Sequence, residues 1–398
     1  MNGYQVLVIG GYGFFGRRLV QRLAHQPDLH VQVAGRSAAE ARRLVDLLRP
    51  RARACLSSLA LDTASAAWPQ DLCQLAPRVV VHTAGPFQGQ DYRVAQACIA
   101  AGAHYIDLAD ARAFVTGIGS LDTLAAAAGV AVTSGASSVP ALSGAVADHL
   151  ARGLDPVSFI DIGISPGNRT ERGLSTIQAI LSYCGQPLPE CVHPAPEYRG
   201  HPPCGSQPPW GGPAPADTGR GPSFGWLGSH RHAYPAPVGS RLLSPCDVPD
   251  LALLPARHAG TPPVRFGAGL ELAFLHRGMN TMAWMTRRGL VADWSAHAGW
   301  LKRAADWFKT WGSEAGAMHV SVAGRTSAGT QATRTWHLVA TQGDGPYVPT
   351  LAAAALVRKF AAGELPFVGA RPCLGVLTLE DFEREAQGLN IRMAEESP

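Results

Sequence analysis

Apolar residues recur along this chain in two rhythms, and the rhythm changes near residue 150. In the first part, short apolar runs predict strands at Val6–Ile9, Val31–Ala34, Leu59–Leu61, Val79–His82, Tyr105–Leu108 and Val130–Thr133. The segments between them, Gly16–Ala24, Ala38–Leu48 and Tyr92–Ala101, carry apolar residues three and four apart, as helices with one buried face do. Ser37-Ala-Ala-Glu40 predicts a capping box at the start of the second helix. Strands and helices alternating at this spacing form βαβ units. These give a parallel sheet covered on both faces and, with right-handed crossovers, a doubly wound α/β fold.

After Arg152 the order changes. Val157–Ile164 predicts a strand and Ser175–Tyr183 a helix, and residues 186–263 are so rich in proline and glycine that they predict a long loop. The strand Val264–Phe274 and the helices Thr281–Arg288 and Ala296–Trp311 follow. Then come an antiparallel pair, His319–Ala323 and Thr335–Thr341, a helix Pro349–Ala362 and a short polar end. The expected organisation is a nucleotide-binding Rossmann domain over 1–150 and an α+β domain with a mixed or antiparallel sheet over 151–398. Residues 346–398 are the part expected to pack back on the first domain.

Composition narrows the class. Over 398 residues, 46% are hydrophobic and 16% charged, which suits a globular chain with a large core. A net charge of +4 on scattered basic residues implies no nucleic-acid or membrane partner. No apolar run reaches the roughly 18 residues of a membrane helix, and MNGYQVLVIGG lacks the charged start of a signal peptide, so a cytoplasmic protein is expected. The eight cysteines are dispersed without a C-x-x-C pair. Cys191, His193, His201 and Cys204 lie close in sequence but match no standard zinc spacing, so no metal is predicted.

One segment carries specific chemistry. In VLVIGGYGFFGRRLV, the strand ends in Gly10, Gly11, Tyr12, Gly13, Phe14, Phe15 and Gly16, and a helical pattern starts at once. Glycines at this spacing let the chain turn sharply, bring backbone N–H groups against a pyrophosphate and pack the following helix close to the strand. An NAD site would place a carboxylate at the end of the second strand. This chain has Arg36 and Ser37 there, which favours the 2′-phosphate of NADP(H) over NAD(H). Asp62, after the third strand, is a candidate for the adenine side. Thr83, Ala84, Gly85 and Pro86, after the fourth, are small enough to lie against the cofactor.

Taken with VVVHTAGPFQGQDYRVAQACIAAGAHYIDLAD (79–110), TSGASSVPALSG (133–144), GDGPYVPTLAAAALVRKFAAGE (343–364) and GARPCLGVLTLEDFE (369–383), the glycine segment resembles the saccharopine dehydrogenase-like oxidoreductases. The resemblance implies an NADP-binding Rossmann domain, a second domain on a mixed sheet, and an active site between them. It does not imply saccharopine as the substrate, because the proline-rich segment departs from the lysine-pathway enzymes.

Hydride transfer to a C=N, C=O or activated C=C bond also needs a proton donor. Tyr105, oriented by Asp107, is the candidate; Tyr105 is equally readable as a packed strand aromatic. Ser137 and Ser138 suit a substrate carboxylate or amide, or a helix cap. Arg169 and Arg172, in Pro166-Gly-Asn-Arg-Thr-Glu-Arg172, are candidates to clamp a carboxylate as a pair. No tyrosine is followed four residues later by lysine, which excludes the short-chain dehydrogenase dyad. The alternative to an enzyme is a non-catalytic NADP sensor, which would not need so long a second part. The expected partner is a small molecule, and a homodimer is the expected assembly.

Overall fold

The computed structural model describes residues 3–188 and 223–396. It divides into two compact units. One comprises residues up to Val146 together with Pro346–Leu389, and the other Ala147–Gly345 with Asn390 onward.

The strands of the first unit are β1 (Tyr4–Ile9), β2 (Leu29–Gly35), β3 (Cys55–Ala60), β4 (Val79–His82), β5 (His104–Asp107) and β6 (Ala131–Ser134). Those of the second are β7 (Leu154–Ser165), β8 (His230–Tyr234), β9 (Gly239–Pro245), β10 (Val264–Ala268), β11 (Gly316–Thr326) and β12 (Gln331–Ala340). The chain then returns to the first unit with β13 (Gly369–Pro372) and closes in the second with β14 (Ile391–Glu395).

The first sheet runs β13-β6-β5-β4-β1-β2-β3, with every recorded pairing parallel. Its order reverses between β1 and β4, and in a doubly wound sheet that switch point is where a ligand sits. The central strands are buried on both faces; Val6, Leu7 and Val8 have no accessible surface. Helices α1 (Gly16–Leu23) and α2 (Ala38–Leu48) follow β1 and β2. The second sheet runs β14-β12-β11-β7-β10-β9-β8 and is mixed: β10 pairs parallel with β7, and β11 pairs antiparallel with both β7 and β12. The α/β class and the mixed second sheet are as the sequence predicts.

Four segments differ from expectation. Within 186–263, the described residues form the hairpin β8–β9 and the helix Asp250–Arg257. Pro235 and Pro237 fall in the turn between the strands, Pro245 ends β9, and Pro249 and Pro255 lie before and inside the helix, so none interrupts the β8–β9 ladder. The strand expected at Val264–Phe274 stops at Ala268, and the following helix, Ala273–Arg287, begins eight residues before the predicted Thr281. The short polar end contains β13, the helix Leu379–Ala386 and β14. At α2, Ser37 Oγ accepts from the Glu40 N–H at 3.3 Å, but the Glu40 side chain turns to Arg43, so only half of the capping box forms. Cys191, His193, His201 and Cys204 lie outside the described residues.

Candidate cofactor-binding site

The glycine turn sits at the carboxyl end of β1, at the switch point. Gly10 has φ +74°, a conformation open to glycine without strain, and its N–H donates to Ala34 O at 2.8 Å. Gly13 N–H closes the turn on Gly10 O at 2.8 Å. A Cβ on Gly16 would strike the Gly10 carbonyl and lie 2.7 Å from Thr83 Oγ1 and 2.8 Å from Gly11 Cα. Hence α1 starts as close to β1 as backbone contact allows. The Phe14 and Phe15 N–H groups, just before the helix, have no acceptor among the described residues. Unpaired donors on the positive end of a helix are what a pyrophosphate needs.

Thr83 ties β4 to this turn, with its hydroxyl donating to Ile9 O at 2.8 Å and Gly10 O at 3.1 Å. Ala84 is half-buried, and Gly85 and Pro86 are exposed beside it. Gln90 holds that loop in shape by donating to Ala84 O at 3.2 Å and Pro86 O at 2.6 Å. Sequence patterning gave no reason to select this glutamine. Arg18 was also missed: its guanidinium stacks 4.2 Å over the Phe14 ring and donates to Phe14 O at 2.6 Å, which fixes the turn's outer edge.

At the end of β2 the Tyr12 ring lies over Gly35, where a Cβ would come within 2.5 Å of it, and the Tyr12 hydroxyl accepts from the Ser37 N–H at 2.9 Å. Arg36 is exposed and has no partner among the described residues, so its guanidinium is available to an anion. Asp62 is exposed, and its carboxylate accepts from the Ala64 N–H at 3.0 Å, as a turn residue does. The structure therefore brings Gly10 to Gly16, Arg36, Ser37 and Thr83 to Pro86 to one end of one sheet.

The predicted catalytic residues lie on β5, beside β4 in the same sheet, with Asp107 in register with His82. Tyr105 is 1% exposed, inside the apolar core, and its hydroxyl bonds His82 Nδ1 at 3.1 Å. Burial, and then the neighbouring Asp107 carboxylate, push its pKa well above the phenol range. This burial fits the alternative reading of Tyr105 as a packed strand aromatic. Asp107 is fully buried, which raises its pKa to about 6 against the lowering effect of its donors. Its Oδ1 accepts from the Ala109 and Gly135 N–H groups and the Ser134 hydroxyl, each at 2.9 Å, so it pins β5 to β6. Ser137 and Ser138 are both buried in the turn that follows β6.

In the second unit Arg169 and Arg172 do not act on a common partner. Exposed Arg169 donates to Thr310 O at 3.2 Å. Arg172 reaches Asn168 Oδ1 at 3.4 Å and lines a cavity of about 40 Å3 with Lys302, Asp306 and Lys309. Burial lowers the Arg172 pKa from its ordinary value, with Asp306 and Glu271 opposing.

A second cluster escaped the sequence reading. Asp161, His232 and His319 bring ligating atoms within 4.8 Å of one another. The His232 and His319 rings, however, stack 3.5 Å apart at an interplanar angle of 5°. A metal lies in the plane of each imidazole that binds it, and two parallel rings share no such point. The cluster is a hydrogen-bonded network instead. Tyr234 OH meets His319 Nδ1 at 3.0 Å, His319 Nε2 faces Asp161 at 3.4 Å, His232 Nε2 meets His337 Nε2 at 3.1 Å, and Arg265 clamps Asp161 with two bonds of 2.7 Å. Arg265 and His319 outweigh burial and hold the Asp161 carboxyl far below the usual range, while burial drives His337 down to about 4.

A parallel, doubly wound sheet whose glycine turn presents free N–H groups at its switch point defines a dinucleotide-binding Rossmann protein. The comparisons make the class specific. Residues 6–143 match the family described as saccharopine dehydrogenase NADP binding domain, which makes NADP(H) the cofactor of the first unit. The chain is similar in fold to apo saccharopine dehydrogenase (L-Glu forming) from Saccharomyces cerevisiae, at 13% identity and TM-score 0.62, over 99% of this chain and 100% of that one. It also aligns with amine dehydrogenase from Mycobacterium smegmatis at 11% identity and TM-score 0.47, over 93% of this chain and 95% of that one. No curated protein matches it in sequence. No helix among the described residues is long and apolar enough to cross a membrane.

Proposed function

We propose that this chain transfers hydride between NADP(H) and a C=N, C=O or activated C=C bond of a small substrate that carries a carboxylate. The observation that carries the reading is the pairing of two features in the first unit. The donors at Phe14 and Phe15 suit a pyrophosphate, and the free Arg36 beside Ser37 suits a 2′-phosphate. A second unit as large as the first supports an enzyme rather than a cofactor sensor, because a sensor needs no further domain to hold a substrate. The carboxylate preference rests on the resemblance of the sequence to the saccharopine dehydrogenase-like oxidoreductases, which include amino-acid-forming reductases.

The test is a panel of 2-oxo acids with amines, of imines and of enoyl acids, followed by NADPH absorbance. Turnover on any member supports the proposal. NADPH binding at low micromolar concentration without turnover across the panel would return the protein to the sensor class.

A further inference from the structure

The described residues expose five large aromatic side chains, Phe274, Trp284, Trp300, Trp307 and Trp311, and all five fall between residues 274 and 311. The most open are Trp300 at 62% and Trp307 at 82%. With Arg303 between them at i and i+3, and Trp307 at i+7, they share one stripe of the helix Ala298–Asp306 and its C-cap. Trp311 continues the patch: its ring meets Phe308 at 5.3 Å and Phe274 at 5.9 Å.

The same stretch is basic. Residues 273–311 contain Arg277, Arg287, Arg288, Lys302, Arg303 and Lys309 against Asp293 and Asp306, so six less two gives +4, equal to the net charge of the whole chain. The rest of the chain therefore sums to zero. Beside the stripe lies the small cavity lined by Arg172, Lys302 and Lys309, with Glu171 and Asp306 as its acidic members. Lys302 pairs with Asp306 at 2.7 Å, and Arg172 Nε is buried with no partner among the described residues. At about 40 Å3 the cavity has room for a group the size of a phosphate head.

We propose that this face docks on an anionic phospholipid surface. Trp300, Trp307 and Trp311 enter the headgroup layer, and a lipid phosphate seats against Arg172, Lys302 and Lys309. Exposed tryptophans interleaved with Lys and Arg suit the boundary between headgroup and acyl chain. A second copy of the chain fits the face less well, since a two-fold interface would bring Lys302, Arg303 and Lys309 against the same three cations. The segment lies on the membrane; it does not span it.

Flotation of the full chain with vesicles tests this. The chain rises with vesicles of equimolar phosphatidylcholine and phosphatidylglycerol, stays down with phosphatidylcholine alone, and is released by salt. Arg303→Ala with Lys309→Ala weakens partitioning about thirtyfold, from ~1 kcal/mol per basic residue at the surface. Trp300→Ser with Trp307→Ser weakens it at least as far. NADPH affinity, set in the other unit, is unchanged in both double variants, and an unchanged far-UV circular dichroism spectrum and thermal melt show that the second unit is folded. No flotation, equal flotation on neutral vesicles, or inorganic phosphate binding without any vesicle binding overturns the proposal. So does a dimer that the tryptophan variant splits.

Discussion

Replacing Gly16 with alanine tests whether close approach of α1 to β1 builds the cofactor site. The added methyl meets the Gly10 carbonyl, Gly11 Cα at 2.8 Å and Thr83 Oγ1 at 2.7 Å. None of these can swing aside. The first two are backbone, and the Thr83 hydroxyl is held by Ile9 and Gly10. The helix start must therefore back away from the strand by on the order of 1 Å, at an overpacking cost of ~1–3 kcal/mol. Alanine's better helix propensity returns at most ~1 kcal/mol of that. The larger effect falls on binding, because the Phe14 and Phe15 N–H groups move with the turn. Losing one charge-assisted bond, worth ~1.5–3 kcal/mol, raises the NADPH Kd by about ten- to a hundredfold. Gly102→Ala is the control: its φ of +67° strains alanine, but nothing lies within 4 Å, so stability falls while affinity holds. Fluorescence titration and thermal melts of both variants separate the two effects. If Gly16→Ala binds NADPH as tightly as the parent, the turn does not hold the pyrophosphate.

Three further outcomes follow from the same geometry. NADPH should bind at least about tenfold tighter than NADH, and Arg36→Asp should shrink or reverse the ratio; equal affinities in the parent protein would refute the role given to Arg36. His82 is 3% exposed and burial lowers its pKa to about 4. The unfolded chain therefore binds that proton first, so stability is whole above pH 6.5 and falls as the pH drops towards 4, by ~3 kcal/mol at ~1.4 per unit. His82→Gln should flatten that slope in urea melts, and an unchanged slope would mean that His82 is not buried neutral. Tyr105→Phe should cost ~1 kcal/mol by orphaning His82 Nδ1 yet leave the turnover rate intact; a large loss in kcat would restore Tyr105 as the proton donor.

The first sheet was legible because each of its central strands is buried on both faces. Full burial removes the choice between the two sides of a strand, and what remains is a bare apolar run such as Val79–Val81 beside a helical period. Residues 230–245 were not legible for the opposite reason. The hairpin reads HRHAY and GSRLLSP, without apolar alternation, and beside the one fully buried leucine, Leu243, its inward contacts are made by imidazoles and a tyrosine. Patterning rules that count apolar residues cannot see a strand whose buried face is a hydrogen-bond network. The early start of the helix Ala273–Arg287 was hidden similarly: its buried residues are His276, Ala283 and Thr286, only one of them apolar.

The same distinction explains which site residues the sequence could reveal. The roles proposed for the glycines, Arg36 and Ser37 rest on backbone shape or an exposed charge at a fixed offset from a strand, and local sequence determines both. Tyr105 and Asp107 sit at an equally regular offset, but their role depends on what lies across the sheet. Asp107 faces three donors, from Ala109, Ser134 and Gly135, and becomes a clamp between strands. Tyr105 faces His82, and the pair satisfies each other inside the core. A polar residue near the end of a parallel strand is therefore evidence for a site only once its partners are known. Where Gly16 meets the Gly10 and Gly11 backbone and the tethered Thr83 hydroxyl, sequence and structure agree because a side chain has no room in that turn.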